Sequence, residues 1–292
     1  MTGGRLAILA CGISSRMKRS VVSQIIDDKS LIDDADLKAK SMIGVGANHR
    51  PFLDYLLYNA RYVGYTDVLI VIGQNDDSIR NYYGMQDIDN EFFGLKISYA
   101  VQKIPTGREK PLGTADAVCQ GLESRKDWSG KHFTVCNSDN LYSERALSLM
   151  LRHQHDNAMI DYDMDALQFE RSRIERFAIT SKDGEGFLTN IIDKPSEAQI
   201  EAMKEKSGYV GVSMNIFDLQ YDMVCPFLES VPMNPVRLEK ELPEALAPMV
   251  KKHPRCLFAY PLSEHVPDLT VKSDILPVKK HLQTHFPNGV FL

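Results

Sequence analysis

The chain has 292 residues, 43% hydrophobic and 25% charged, with a formal net charge of −5. That length and balance suit one large globular domain or two small ones and exclude a low-complexity chain. The acidic balance, with no basic run beyond Arg16-Met-Lys-Arg19, argues against a nucleic-acid partner, and no apolar run reaches membrane-spanning length.

The first stretch, Leu6 to Ala10, reads as a short strand apolar on both faces, as in the middle of a parallel sheet. It runs into Cys11-Gly-Ile-Ser-Ser-Arg16. Such a loop brings backbone N–H groups and one guanidinium to the carboxyl edge of a sheet, where open α/β sheets bind phosphorylated ligands. Taken alone, it fits an ordinary β-turn-α connection with a surface arginine better, since short glycine loops are common. Lys18 to Lys40 is charged and reads as a loop with one helical turn. Pro51 opens a helix whose stripe is Phe52, Leu53, Leu56, Leu57, Ala60 and Val63, and Gly64 ends it. Asp67 to Gly73 is a second buried strand, which completes a β-loop-α-β unit.

Further on, the pattern predicts a helix over Asp76 to Tyr83 and a strand over Leu95 to Val101. After the loop Gln102 to Gly113, Thr114 is placed to cap a helix through Leu122. A strand over Lys131 to Cys136 ends in Asn137-Ser-Asp-Asn140, and Ser143 to His153 reads as helix. The second half changes style. Glu175 to Lys194 holds a hairpin around Lys182-Asp-Gly-Glu-Gly186, and Ser196 to Lys206 is a surface helix. Gly208 to Phe217 reads as a strand, Leu238 to Lys252 as a helix, Cys256 to Leu262 as a strand and Val271 to Phe286 as a helix. This is α/β, a single domain over 1–292 with lobes of about 1–140 and 141–292. Five widely spaced cysteines and no signal-peptide pattern point to a reduced, cytoplasmic protein.

Three loops that follow predicted strands could carry chemistry: Gly12 to Arg16, Gly113-Thr114, and Asp139. A carboxylate at a strand's carboxyl end is a natural magnesium ligand beside phosphate oxygens. Arginine and lysine stabilise a crowded phosphoryl centre. These parts suggest nucleotide-dependent phosphoryl or nucleotidyl transfer. No GxxxxGK[ST] and no GxGxxG is present, which argues against a P-loop or a dinucleotide fold. His153-Gln-His155 has metal-like spacing but no third ligand nearby, and reads as solvated. Met214 and Met223 read as packing.

In order, the chain shows Gly12-Ile-Ser-Ser-Arg16-Met17, Lys40, Pro51-Phe-Leu53, Gln102, Pro111-Leu-Gly-Thr-Ala-Asp-Ala-Val118, Asn137-Ser-Asp139, Lys194-Pro195, Gly208-Tyr-Val-Gly211 and His265-Val-Pro-Asp268. This series resembles the sugar-phosphate nucleotidyltransferases, the glucose-1-phosphate thymidylyl- and uridylyltransferases, over nearly the whole chain. The resemblance implies a Rossmann-like three-layer α/β/α fold with a mostly parallel mixed central sheet and an antiparallel sugar-binding lobe. It implies transfer of a nucleoside monophosphate from a nucleoside triphosphate to a sugar 1-phosphate, with pyrophosphate released and Mg2+ as cofactor. Arg16, Lys40 and Asp139 would be catalytic. Ala10, Gly12, Ser15, Gln102, Gly113 and Thr114 would bind the nucleotide, and Lys194 and Gly211 the sugar phosphate. Asp139 and Asp268 would hold the metal, with Asp274 a rival for Asp268 and Lys29 or Lys38 rivals for Lys40. Ser138 departs from the family's glycine, and Asp193 from its glutamate. Neither nucleic acid nor membrane is an expected partner, and homo-oligomerisation stays open. Two alternatives stand beside this reading: a cytidylyltransferase on the same scaffold acting on a non-sugar phosphate such as phosphocholine, and a non-catalytic nucleotide or sugar-phosphate sensor.

Overall fold

The computed structural model describes residues 3–20, 28–74, 77–235 and 237–291. The chain forms two compact units, each discontinuous in sequence. The first comprises Met1–Pro111, Asn137–Leu147 and Pro267–Leu292, the second Leu112–Cys136 and Ser148–Val266.

In the first unit, β1 (Gly4–Ala10) and β2 (Tyr65–Gly73) are buried along most of their length, as two-sided apolar strands must be. They pair in parallel, Leu6 opposite Val68 and Ala10 opposite Ile72. Strand β3 (Asn90–Phe92) pairs antiparallel with β4 (Leu95–Gln102), and β4 lies parallel to β2, giving the order β3-β4-β2-β1. Helices α1 (Ser15–Arg19) and α2 (Lys29–Leu37) precede α3 (Phe52–Val63). The predicted stripe of α3 is buried throughout, and Gly64 ends the helix with φ 117°, a conformation that costs glycine little. Helix α4 (Ser78–Tyr83) begins two residues after Asp76, which lies outside the described residues.

The charged segment Lys18 to Lys40 corrects the sequence reading, since α2 is a helix of nine residues and not a loop. Its N-cap Asp28 accepts the Ser30 N–H at 3.1 Å. Only Leu31, Asp34 and Ala35 face inward, so the apolar stripe is too sparse to show through the acidic residues. Asp27, counted in that segment, lies outside the described residues.

Helix α5 (Thr114–Ser124) and strand β5 (His132–Asn137) lead to α6 (Glu144–Arg152), which spans the change of unit at Leu147 and Ser148. The second unit continues with β6 (Ala158–Asp163), α7 (Arg171–Ile174), β7 (Ala178–Lys182), β8 (Leu188–Ile192) and α8 (Glu197–Ser207). Then come β9 (Gly211–Ser213), β10 (Phe217–Gln220), α9 (Tyr221–Ser230), α10 (Leu242–Lys252) and β11 (Phe258–Leu262). Its strands order as β5-β10-β6-β9-β7-β8, antiparallel throughout, and β11 joins β6 in parallel. The fold class is α/β with a mixed sheet, parallel early and antiparallel late.

Boundaries shift where the backbone turns left-handed. The single strand read over Gly208 to Phe217 splits into β9 and β10 around Asn215, whose φ is 55°. Leu238, with the same φ, lies outside α10. The last helix, α11 (Ile275–His285), starts later than Val271 because Lys272–Asp274 forms a 3-10 turn. Strand β6 and helix α9 were not predicted; α9 carries Pro226 inside it.

In the first unit, fully buried Asp54 on α3 collects Arg50 at 2.8 Å, the Tyr82 hydroxyl at 3.0 Å and the Tyr83 hydroxyl at 2.7 Å. Asp54→Ala leaves a buried phenol and a half-buried guanidinium without their acceptor. The expected loss is about 2–4 kcal/mol in urea denaturation, and a loss below about 0.5 kcal/mol would contradict this role.

Candidate active site

In the first unit, the carboxyl end of β1 delivers buried Ala10 to the loop Cys11–Ser14. Ser14 takes a left-handed turn, φ 55°, into α1. A Cβ added at Gly12 would meet nothing within 4 Å, so no neighbour inside the fold requires glycine there. Ser15 is half-buried and Arg16 is exposed on α1. The Ser138 N–H donates to Leu9 O at 3.1 Å, which sets the turn Asn137–Asn140 at the end of β1. Leu269 N–H donates to Asp139 O at 2.9 Å, Leu141 N–H to Pro267 O at 2.9 Å, and Asn140 bridges Asp268. Segments 139–141 and 267–269 therefore run side by side.

Onto this platform Lys40 brings its ammonium, 2.7 Å from Asp139 Oδ2 across 99 residues of sequence. The two side chains are 14% and 23% exposed, so the pair is screened far less than a surface ion pair. Lys40 opens a 3-10 turn, Lys40–Met42, just after α2. That arm is held by Asp34, whose carboxylate accepts Lys38 at 2.6 Å, His49 Nε2 at 3.0 Å and the Gly44 N–H at 2.9 Å. Lys38 is thus engaged elsewhere and Lys29 is exposed at the first residue of α2. Asp274 Oδ2 accepts the N–H groups of Thr270 and Val271 at 2.7 and 2.8 Å, the position of a capping residue. Asp268 is buried, its Oδ1 accepting the Thr270 hydroxyl at 2.7 Å. Gln102 is buried at the last position of β4, opposite Gly73.

The donor set fits a hard cation. Lys40 occupies one oxygen of Asp139, and a carboxylate has a second with its own lone pairs. Asp139 and Asp268 stand on adjoining segments, and magnesium takes one or two carboxylates alongside phosphate and water.

The remaining predicted residues lie in the second unit. Gly113, not Thr114, caps α5, with φ 108°, and a Cβ there would come 2.7 Å from Lys240 O. Thr114 instead points its hydroxyl outward from the helix start: it donates to Glu241 at 2.6 Å and accepts the Leu242 N–H at 2.8 Å. Burial pushes the Glu241 carboxyl up, partly offset by Thr114 and Arg237. Arg237 lies 3.7 Å from Glu241 and 2.9 Å from Asp193, the residue before Lys194. Lys194 is exposed with a left-handed φ of 48°. A Cβ at Gly211 would fall 2.0 Å from Asp161 Oδ1, so the space it makes is taken by that carboxylate. Asp161 is fully buried, bound by Thr180 and Lys182, and its main-chain carbonyl accepts the Tyr209 hydroxyl at 2.6 Å.

A family model described as nucleotidyl transferase matches residues 36–254, well over half of the chain. The chain belongs to the nucleotidyl transferase family. Among curated relatives, the bifunctional protein GlmU of Staphylococcus carnosus is 20% identical over 242 residues, 82% of this chain and 43% of its own length. The low-salt glycan biosynthesis nucleotidyltransferase Agl11 of Haloferax volcanii is 25% identical over 51% of this chain and 37% of its own. A glucose-1-phosphate adenylyltransferase of Koribacter versatilis is 25% identical over 40% of this chain and 27% of its own. The chain spans less than half the length of these relatives. A UDP-glucose pyrophosphorylase solved with UDP-glucose superposes with a TM-score of 0.68 at 14% identity, over 97% of this chain and 99% of that one. The enzyme of the same name from Acinetobacter baumanii gives 0.66 at 16%, over 97% and 95%. At these identities the likeness shows the fold.

Sequence reasoning missed Arg237, Glu241 and Asp161; the i,i+4 spacing of Arg237 and Glu241 was the one local signal. It also misread His153. That ring is not solvated: its side chain is 4% exposed and its Nε2 sits 2.8 Å from Asp218 Oδ1. His155 stacks on Phe258 with ring centroids 4.2 Å apart.

His265, from the His265-Val-Pro-Asp268 motif, accepts the Gln168 N–H at 3.1 Å and packs edgewise on Phe169, which carries Arg173 on its ring. Burial, reinforced by the Arg173 charge, pushes its pKa down to about 4. Between about pH 6.5 and 4 the unfolded chain then holds a proton that the native one lacks, so stability falls as pH drops through that window. His265→Gln should flatten this slope in denaturation curves taken across it; an unchanged slope would show that His265 does not cause it.

Proposed function

We propose that the protein is a sugar-1-phosphate nucleotidyltransferase, which joins a nucleoside monophosphate from a nucleoside triphosphate to a sugar 1-phosphate and releases pyrophosphate. The observation that carries this reading is the Lys40–Asp139 pair at the carboxyl end of β1, in a chain of the nucleotidyl transferase family. A sugar-phosphate oxygen attacks the α-phosphorus in line; that P–O bond forms as the α–β bridging P–O bond breaks, and pyrophosphate leaves. The attacking phosphate is already an anion, so neither a general base nor a covalent enzyme intermediate is required. Catalysis rests on positioning and charge.

Arg16, exposed on α1, and Lys40 would neutralise the triphosphate. In giving up Asp139 Oδ2 for a phosphate oxygen, Lys40 would keep its charge paired throughout. Ala10, Gly12 and Ser15 would offer backbone and hydroxyl groups to the nucleotide, open space at Gly12 favouring close approach. Gln102, Gly113 and Thr114 would serve the base. Asp139 and Asp268 would hold a magnesium ion, which when bound polarises the α-phosphate. Lys194 would grip the sugar phosphate, its backbone steadied by the Arg237–Asp193 pair, and Gly211, packed on Asp161, would offer main chain to the sugar. All five cysteines are free thiols, which suits the cytoplasm. No helix among the described residues is long and apolar enough to cross a membrane.

The test is pyrophosphate release from UTP, dTTP, CTP, ATP and GTP against a set of sugar 1-phosphates, with Mg2+. Release should require both substrates. Asp139→Asn should lower kcat by roughly 100-fold or more while the circular dichroism spectrum stays native. Triphosphate binding without turnover for any acceptor would favour a sensor, and undiminished turnover in Asp139→Asn would remove the metal role.

A further inference from the structure

A second cluster of ligating side chains lies wholly within the second unit. His132 opens β5, His153 follows α6, and Asp218 lies in β10, paired antiparallel with β5. His132 Nδ1 is 2.9 Å and His153 Nε2 2.8 Å from the same oxygen, Asp218 Oδ1. One ligating atom from each of the three residues lies within 4.8 Å of the others. We propose that His132, His153 and Asp218 form a transition-metal site of the zinc type.

The donor chemistry separates it from the oxygen site of Asp139 and Asp268. Two imidazoles and one carboxylate suit Zn2+, whereas Mg2+ takes oxygen. The set has the composition of an open site, three protein ligands with room for water. His153 and Asp218 are 4% and 6% exposed, so two ligands are already out of water, while His132 at 43% leaves a way in. The second oxygen, Asp218 Oδ2, accepts the Thr134 hydroxyl at 2.8 Å, an outer contact that fixes the carboxylate plane. Tetrahedral zinc with bonds near 2.0 Å separates its ligand atoms by about 3.3 Å. The 2.8 and 2.9 Å between Asp218 Oδ1 and the two ring nitrogens are within about half an ångström of that spacing.

Proton placement makes the proposal sharper. His153 Nδ1 accepts the His155 N–H at 3.2 Å, so in the metal-free chain its proton sits on Nε2, facing Asp218. A metal on Nε2 moves that proton to Nδ1 and opens the His155 contact. Zinc uptake should therefore speed hydrogen exchange at the His155 amide.

The experiment uses the full chain, stripped by a chelator and held in excess Mg2+, titrated with Zn2+ by calorimetry and with Co2+ by visible absorption. One equivalent should bind, with the Co2+ bands of a low-coordinate site. His132→Ala, at an exposed position, should fold normally and weaken Zn2+ binding by at least about 10-fold. No saturable uptake by the natural chain would overturn the proposal. So would equal affinity in His132→Ala, the result expected if zinc sits instead on the stacked pair His281 and His285 of α11. Unchanged exchange at His155 with zinc bound would remove His153 from the ligand set and overturn the three-ligand site.

Discussion

One ion pair organises the first unit. Lys40 and Asp139 are far apart in sequence, mostly out of water and 2.7 Å from each other. Either charge alone would be costly at that depth, because a partly buried ion without its partner keeps its desolvation penalty and loses the compensating attraction. The local architecture serves that meeting. Leu9 fixes the turn that carries Asp139, segment 267–269 flanks it, and Asp34 gathers Lys38, Gly44 and His49 so that the arm after α2 ends at Lys40. Lys272 adds a further tie, its side chain 2.7 Å from Asp36 of α2 and its N–H on the Ser20 hydroxyl at 3.0 Å. A pair held this way is charge-balanced and mostly out of water.

The second unit solves a different problem, how to keep loops with polar backbones in place. Gly113 allows the backbone of Lys240 to approach, and Thr114 both donates to and accepts from Glu241 and Leu242. Arg237 extends this chain of contacts to Asp193 beside Lys194. Asp161 does similar work beneath Gly211, holding Thr180 and Lys182 at the cost of burying a carboxylate, whose pKa burial pushes up. Each anchor satisfies a buried polar group that would otherwise weigh against folding.

What was legible in the sequence follows from the range of the forces involved. Strands β1 and β2 and helix α3 announce themselves because burial on both faces or along one stripe leaves a periodic trace. Helix α2 leaves none, since Leu31 and Ala35 are its only buried apolar residues. The order of Arg16, Lys40, Asp139 and Lys194 could be matched to a family, but only the fold shows that Lys40 meets Asp139 while Asp34 holds Lys38. Thr114 was misjudged because a threonine at a helix start can cap or reach outward, and residues more than a hundred positions later decide which. His132, His153 and Asp218 share no local spacing at all; pairing of β5 with β10 makes His132 and Asp218 neighbours, and His153 reaches the same carboxylate from the end of α6.

The proposed activity requires Lys40 and Asp139 to act as one unit toward the triphosphate. A double-mutant cycle with Lys40→Met, Asp139→Asn and both together, read as kcat/KM for pyrophosphate release, tests it most directly. Coupled residues should give losses that fail to add, with an interaction energy of about 1–3 kcal/mol. Losses that add to within about 0.5 kcal/mol would mean the two side chains act independently, and the account built on their pairing would be wrong.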